Sequence, residues 1–204
     1  MAEIDRATSA LIVLDYQNYG VDPEGYHPQH TPGLLERTEE PIAKTVRALD
    51  AARSAGLTVI HVGQAWREGH PDVNPAEPWQ VAAKEAGRTV EGTWDVEFFP
   101  PVAPMLGEIT VYKRCISALT GTDLDRLLRM KGITTLVLIG GATNGAVEGT
   151  ARQGADMGYR VIVAEDCCFA MTDEEHEYSC KILSWMTTVI GVDEFVGSLG
   201  AAVA

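Results

Sequence analysis

The sequence predicts one α/β domain with a six-stranded, mainly parallel sheet and helices on both faces. The length of 204 residues suits a single compact domain over residues 1–204. Short β-branched runs alternate with helical patterns, which is the order typical of such sheets. No internal repeat, low-complexity tract or Ser/Gly linker divides the chain.

Composition and charge exclude several classes of protein. Hydrophobic residues make up 46% and charged residues 22%, as in an ordinary globular protein. The formal net charge of -13 repels phosphate backbones and anionic lipid, so neither a nucleic acid nor a membrane is an expected partner. No apolar run has the length of a membrane span and no secretory signal is recognisable at the start, so we expect a cytoplasmic protein. The four cysteines lack CxxC spacing, which favours reduced thiols.

The predicted elements follow the alternation along the chain. The expected strands are Ser9–Asp15, Leu57–Val62, Ile109–Lys113, Thr134–Ile139 and Arg160–Ala164, with a short sixth strand near Val189. The expected helices are Pro41–Ala55, Thr122–Met130, about Asn144–Met157, and Asp173–Thr187. Tyr19–Gly33 is predicted to be a surface loop, and Gln64–Pro104 a long irregular excursion of the functional kind.

Chemistry is expected where the strands end, because parallel sheets bind ligands at their carboxyl edge. Asp15 ends the first strand, Lys113 ends the third, and a small-residue turn over Gly140–Glu148 follows the fourth. Free N–H groups of such a turn, at a helix start, suit an oxyanion. A nucleophile belongs in the first helical turn, where the helix dipole lowers the pKa of a thiol, but Ala146 occupies that position.

In motif order and spacing, nearly the whole chain resembles the isochorismatase-like cysteine hydrolases. The matching segments are Ala10–Asn18, Tyr112–Arg114 with Gly121–Leu124, Gly141–Arg152, Gly158–Val161, Glu165-Asp166 and the segment from Thr172 to His176. The resemblance implies a six-stranded, Rossmann-like α/β/α fold of three layers, often assembled as a homodimer or homotetramer. In the amidohydrolase branch the aligned triad is Asp15, Lys113 and position 146. That position is cysteine in the family pattern T-N-x-C-V-E, whereas this chain reads T-N-G-A-V-E.

The resemblance also implies a mechanism for a parent enzyme with cysteine at 146. Asp15 takes the thiol proton, Lys113 stabilises negative charge, and the thiolate attacks a small amide or ureide to give a thioester. The turn Ala142, Thr143, Asn144 and Gly145 shapes the oxyanion site, whose donors are the backbone N–H groups of residues 142 and 146. One peptide bond between Ala142 and a neighbour is expected to be cis, as in the family.

Three explanations of Ala146 are open. An alanine placed at the nucleophile of an otherwise active cysteine hydrolase would trap an uncleaved substrate, and this comes first because Asp15, Lys113 and the turn are intact. A natural enzyme without the thiol could cleave a vinyl ether by acid catalysis through Asp15, as isochorismatases do. A non-catalytic homologue that binds a small molecule is the third.

Five further residues are candidates for substrate contact. They are Gln17, Gln64, Trp66, Trp94 and Phe98. The alternative for Gln17 is that it orients Asp15, and Trp94 and Phe98 could instead line an oligomer interface. Core packing is the plain alternative for the residues of the excursion. The Asp-x-His that binds zinc in the nicotinamidase branch is absent after the second strand, and the Gly140-Gly141 turn is not GxGxxG, so neither a metal nor another cofactor is expected. The charge of -13 disfavours a polyanion, which leaves a neutral or singly charged small amide as the expected substrate.

Overall fold

A computed structural model describes residues 4–200 and has the predicted α/β architecture. Its strands are β1 (Ser9–Leu14), β2 (Thr58–Gln64), β3 (Ile109–Lys113), β4 (Thr135–Gly141), β5 (Arg160–Phe169) and β6 (Thr188–Ile190). They form one sheet in the order β3-β2-β1-β4-β5-β6, and every neighbouring pair is parallel. The chain therefore reverses direction across the sheet between β1 and β4, which is where open α/β sheets bind ligands.

Helices cover both faces of the sheet. They are α1 (Asn18–Val21), α2 (Tyr26–His30), α3 (Leu34–Ser54), α4 (Pro78–Glu85), α5 (Leu124–Met130), α6 (Glu148–Asp156), α7 (Asp173–Leu183) and α8 (Val192–Gly200). None of the helices within residues 4–200 combines the length and the apolarity that crossing a bilayer requires.

Alternate residues of the central strands supply two hydrophobic cores. On one face, Leu11 and Val13 of β1 pack with Leu49 of α3 and Phe195 of α8. On the other face, the remaining strand positions pack against α5 and α6. This second core includes Ile12 and Leu14 of β1, Leu138 of β4, Leu124 and Leu128 of α5, and Ala151 of α6. Burial of both faces explains why β1 and β4 are continuous apolar runs rather than alternating ones.

Helix α3 begins seven residues before the predicted start at Pro41. Gly33 adopts the left-handed conformation at the helix start, and Leu34 and Thr38 are buried beneath the first two turns. The predicted start at Pro41 was wrong because burial of these earlier residues extends the helix back to Leu34.

The two predicted irregular segments contain short helices. Tyr19–Gly33 includes α2 and most of α1, and the excursion 64–104 includes α4 and two 3₁₀ turns at Trp94–Val96 and Pro100–Val102. Strand β5 is longer than predicted and reaches Phe169, with a register shift between Leu138 and Gly140 of β4. The predicted helix after β4 starts instead with a π-helical turn at Thr143–Val147, and α6 follows it.

Candidate active site

Asp15 stands one residue past β1, with its carboxylate buried at the carboxyl edge of the sheet. Its φ is +53°, an uncommon conformation for a residue with a side chain, and its N–H donates to the Val62 carbonyl oxygen at 2.8 Å. Gln17 braces this corner, since its Nε2 donates to the carbonyl oxygens of Gln64 and Val96 and its Oε1 accepts from the Gln64 N–H. The corner is thereby fixed against β2 and the excursion.

Lys113 pairs with Asp15 in this buried corner. The Nζ of Lys113 lies 2.7 Å from Asp15 Oδ2, and Lys113 also donates to Gln64 Oε1 at 3.2 Å. The Lys113 side chain is 3% exposed and that of Asp15 9%. Burial raises the pKa of the Asp15 carboxyl above its ordinary value, and the neighbouring Lys113 ammonium opposes that rise.

The turn after β4 approaches Asp15 because two glycines leave room for it. Gly140 has φ +125°, and a Cβ there would stand 2.0 Å from the Leu14 carbonyl oxygen. A Cβ on Gly141 would stand 2.2 Å from the Phe169 ring. The peptide between Gly141 and Ala142 is cis, as the family resemblance implies.

One cavity brings the three predicted triad positions together. It has a volume of about 290 Å³, and Asp15, Lys113 and Ala146 all line it. Gly141, Ala142 and Gly145 of the turn complete that side of the wall. The arrangement places a buried acid and an ammonium beside a helix-initiating turn, and Ala146 offers only a methyl group where such a site needs a nucleophile.

Helix α7 holds the turn from behind. Thr143 Oγ1 lies 2.8 Å from His176 Nδ1, and Ser179 Oγ lies 3.1 Å from the Thr143 carbonyl oxygen and 2.6 Å from Glu148 Oε2. A capping box at Thr172 and Glu175 fixes the start of this helix. Thr143 and Asn144, predicted as part of the turn, are not among the residues that line the cavity.

The five predicted substrate contacts divide into two groups. Gln64 and Trp66 line the cavity. Gln17 is wholly buried in its backbone hydrogen bonds, Phe98 packs against His61 and Tyr112, and Trp94 is 42% exposed in a 3₁₀ turn. These last three lie outside the lining, so only Gln64 and Trp66 of the five predicted residues border the cavity.

Sequence reasoning missed several lining residues, and the polar ones among them that matter most here are His27, Trp79 and Arg88. All three come from segments predicted to be irregular, where no periodicity indicates which side chains face inward. Arg88 Nη1 lies 3.1 Å from His27 Nε2. Burial, and then the Arg88 guanidinium, lower the pKa of His27 to about 4, so His27 is neutral at pH 7.

One group of described side chains has the geometry to share a metal ion. The donor atoms of Glu165, His176 and Cys180 lie within 4.8 Å of one another, behind the turn rather than in the cavity. His70, which follows β2, is outside this group and places Nε2 3.0 Å from the Arg88 carbonyl oxygen.

Comparisons with known proteins identify the family of the chain. Residues 9–194 match the model of the isochorismatase domain. The ureidoacrylate amidohydrolase RutB of Caulobacter vibrioides is 35% identical over 178 residues, which cover 80% of this chain and 77% of that protein.

Solved structures give the same result. An isochorismatase family protein from Desulfovibrio vulgaris superposes with a TM-score of 0.83 at 28% identity, covering 96% of this chain and 99% of the other. The N-carbamoylsarcosine amidase of Thermoplasma acidophilum superposes with a TM-score of 0.71 at 25% identity, covering 91% and 97%. The parallel sheet and the fold of the solved relatives agree with the family match over residues 9–194. This chain belongs to the isochorismatase family of hydrolases.

Proposed function

We propose that this chain has the site of a cysteine-type amidohydrolase for a small amide or ureido substrate, with its nucleophile position occupied by alanine. The observation that carries the proposal is the buried Asp15–Lys113 pair in the same cavity wall as Ala146. Two similar proteins named above act, by their names, on ureidoacrylate and N-carbamoylsarcosine, which are ureido-type compounds. In its present form the chain is inactive or impaired in this reaction.

The proposed reaction starts when Asp15 accepts the proton of a thiol at position 146. The sulfur then attacks the carbonyl carbon, the C–N bond breaks, and Asp15 returns the proton to the leaving amine. Water, deprotonated by the same carboxylate, attacks the thioester and releases the acid and the thiol. A raised pKa makes Asp15 a stronger base, and Lys113 stabilises its ionised form.

The turn supplies the electrostatic part of the proposal. The backbone N–H groups of Ala142 and residue 146 are the proposed donors to the oxyanion that forms during attack. Both residues border the cavity, and the bonds from Ser179 and His176 hold Thr143 between them. Donors that are fixed before the reaction stabilise developing charge without a reorganisation cost.

A second candidate is acid-catalysed cleavage of a vinyl ether, as in isochorismatases, with Asp15 as the proton donor. It is favoured by the raised pKa of Asp15, because burial stabilises the protonated carboxyl. Asp15 Oδ1 also has no hydrogen-bond partner among residues 4–200, which leaves it available to a ligand. This reaction needs no thiol, so Ala146 would be a native feature of such an enzyme. A binding protein without catalytic activity is the remaining alternative.

Restoring the thiol separates these functions. Ala146→Cys is expected to hydrolyse at least one small amide or ureide at least a thousandfold faster than the chain with alanine, since loss of a nucleophile costs several orders of magnitude. Ala146→Ser is the size-matched control and should stay far less active. If the chain with Ala146 and the Ala146→Cys variant both cleave isochorismate and neither hydrolyses an amide, the acid-catalysed function is established instead. No turnover of any compound would favour the binding protein.

The expected homodimer or homotetramer stays a prediction. Size-exclusion chromatography with light scattering tests it directly.

A further inference from the structure

The cavity wall contains an excess of hydrogen-bond donors without partners. Apart from Asp15 Oδ1, four lining residues each have a buried N–H group with no hydrogen-bond partner among residues 4–200. These groups are Gln64 Nε2, Trp66 Nε1, Trp79 Nε1 and Arg88 Nε. Buried donors are nearly always satisfied in folded proteins, so a set of unsatisfied donors around one cavity indicates a ligand rich in acceptors.

Arg88 is the cation of this cavity that lacks a balancing acid. Lys113 is paired with Asp15, whereas no carboxylate of the described residues lies within ion-pair distance of Arg88. The chain has 29 acidic and only 16 basic residues, so acids are plentiful as partners. A partly buried arginine without one in so acidic a chain is informative.

Neutral groups hold Arg88 in place. Its Nη1 lies 3.1 Å from Nε2 of the uncharged His27, and its guanidinium carbon lies 4.5 Å from the centre of the Tyr26 ring. These contacts fix the guanidinium plane without cancelling its charge. Arg88 Nε has no hydrogen-bond partner among residues 4–200, and a carboxylate is the acceptor that pairs best with a guanidinium.

The rest of the wall offers two indole N–H donors and room for a short ligand. The rings of Trp66 and Trp79 lie 5.8 Å apart, and each has an unpartnered indole N–H. A cavity of about 290 Å³ is at the small end of ligand sites, so it suits a molecule of roughly ten non-hydrogen atoms rather than a larger one.

We propose that Arg88 binds a carboxylate of the substrate, so that the substrate class is a small amide or ureide of an acid rather than a neutral amide. This rests on the proposed amidohydrolase function. The amide carbonyl then faces the turn at Ala142 and position 146, and the acid group faces Arg88. Selectivity comes from charge pairing in a partly dehydrated wall, where a neutral end group would leave the guanidinium unsatisfied.

The test compares N-carbamoylglycine with N-carbamoylglycinamide, which differ only in the acid group. Calorimetry on the chain with Ala146 measures binding without turnover, and we expect the acid to bind at least tenfold more tightly. Arg88→Gln should remove that preference, and Arg88→Lys should retain part of it. Arg126→Gln is the matched control, because Arg126 is exposed on α5 and outside the cavity. Thermal melts identify any variant that has lost its fold.

Several results would overturn the proposal. These are equal affinity for the two compounds, a preference that survives Arg88→Gln in a folded protein, or no binding of the acid at millimolar concentration. The same two compounds are then tested as substrates of the Ala146→Cys protein. Adding Arg88→Gln to that protein should lower the ratio of kcat/KM for the acid to kcat/KM for the amide at least tenfold. An Ala146→Cys protein that binds the acid through Arg88 but cleaves neither compound contradicts the hydrolase function and leaves the carboxylate site standing.

Discussion

Gly140 lies against Leu14 at a distance that only glycine permits. A Cβ at residue 140 would stand 2.0 Å from the Leu14 carbonyl oxygen, and the backbone φ of +125° is outside the range of other residues. This contact ties the start of the turn at Gly140–Glu148 to β1, which Asp15 follows directly. Close backbone packing therefore helps to set the relative position of the turn and Asp15, beside the side-chain bonds of Gln17 and Ser179.

Gly140→Ala is expected to destabilise the fold by at least about 3 kcal/mol, because the clash adds to the conformational strain. Gly132→Ala is the control, since Gly132 also has a positive φ but nothing lies within 4 Å of a Cβ there, and its cost should be about 1 kcal/mol. Urea denaturation measures both. An equal loss in the free energy of unfolding for the two variants would mean that β1 moves away from a Cβ at residue 140 at little cost.

Breaking the buried ion pair should cost more than removing an exposed lysine. Lys113→Met leaves the Asp15 carboxylate buried without its partner, which is expected to lower the free energy of unfolding by about 3–5 kcal/mol near pH 8. The loss should shrink towards pH 5, because a carboxyl whose pKa is raised by burial becomes neutral as the pH falls.

The control for the ion pair is Lys131→Met, at an exposed lysine. It should change stability by less than about 0.5 kcal/mol at either pH. A loss for Lys113→Met that does not depend on pH would show that the pair does not govern the protonation of Asp15.

The fold was predictable wherever one physical pattern dominates. The bounds of β1 and β4 differ from prediction by one or two residues, because fully buried parallel strands are continuous apolar runs. The partly exposed edge strand β3 matches its predicted bounds. Boundaries failed where tertiary burial overrides local signals, as at Leu34, where α3 begins ahead of Pro41. Helix α8 had no prediction, although Phe195 is wholly buried in the core.

The site was predictable at the ends of strands and helices but not in the irregular segments. Asp15, Lys113 and Ala146 stand at strand ends and a helix start, so the topology alone brings them together. Arg88 and His27 come from the irregular segments, whose inward-facing side chains follow from the path of the chain and leave no periodic signal. Gln17 stands two residues from Asp15 but turns away to bond the backbone of β2.

Ser179 is expected to position the turn rather than bind substrate. In the Ala146→Cys protein, Ser179→Ala removes the hydroxyl that contacts the Thr143 carbonyl and Glu148, so the oxyanion donors are held less firmly. We expect kcat to fall about tenfold to a hundredfold with KM changed less than threefold. Ser184→Ala is the control, because Ser184 bonds only within its own helix end. A rise in KM without a fall in kcat would place Ser179 in substrate binding instead.

A buried histidine should make the fold sensitive to mild acid. His61 is wholly buried in β2, and burial lowers its pKa to about 4 from an ordinary value near 6.5, against the opposing pull of Glu108. Between these values the unfolded chain binds the proton and the folded chain does not, so stability falls as the pH falls from about 6.5 towards 4. A shift of this size corresponds to about 3 kcal/mol. His61→Gln should flatten the dependence of the urea midpoint on pH, whereas the same change at the exposed His30 should leave that dependence unchanged. If the midpoint of His61→Gln still depends on pH as before, the acid sensitivity belongs to other groups. His27 is then the first to test, because its pKa is lowered to the same value.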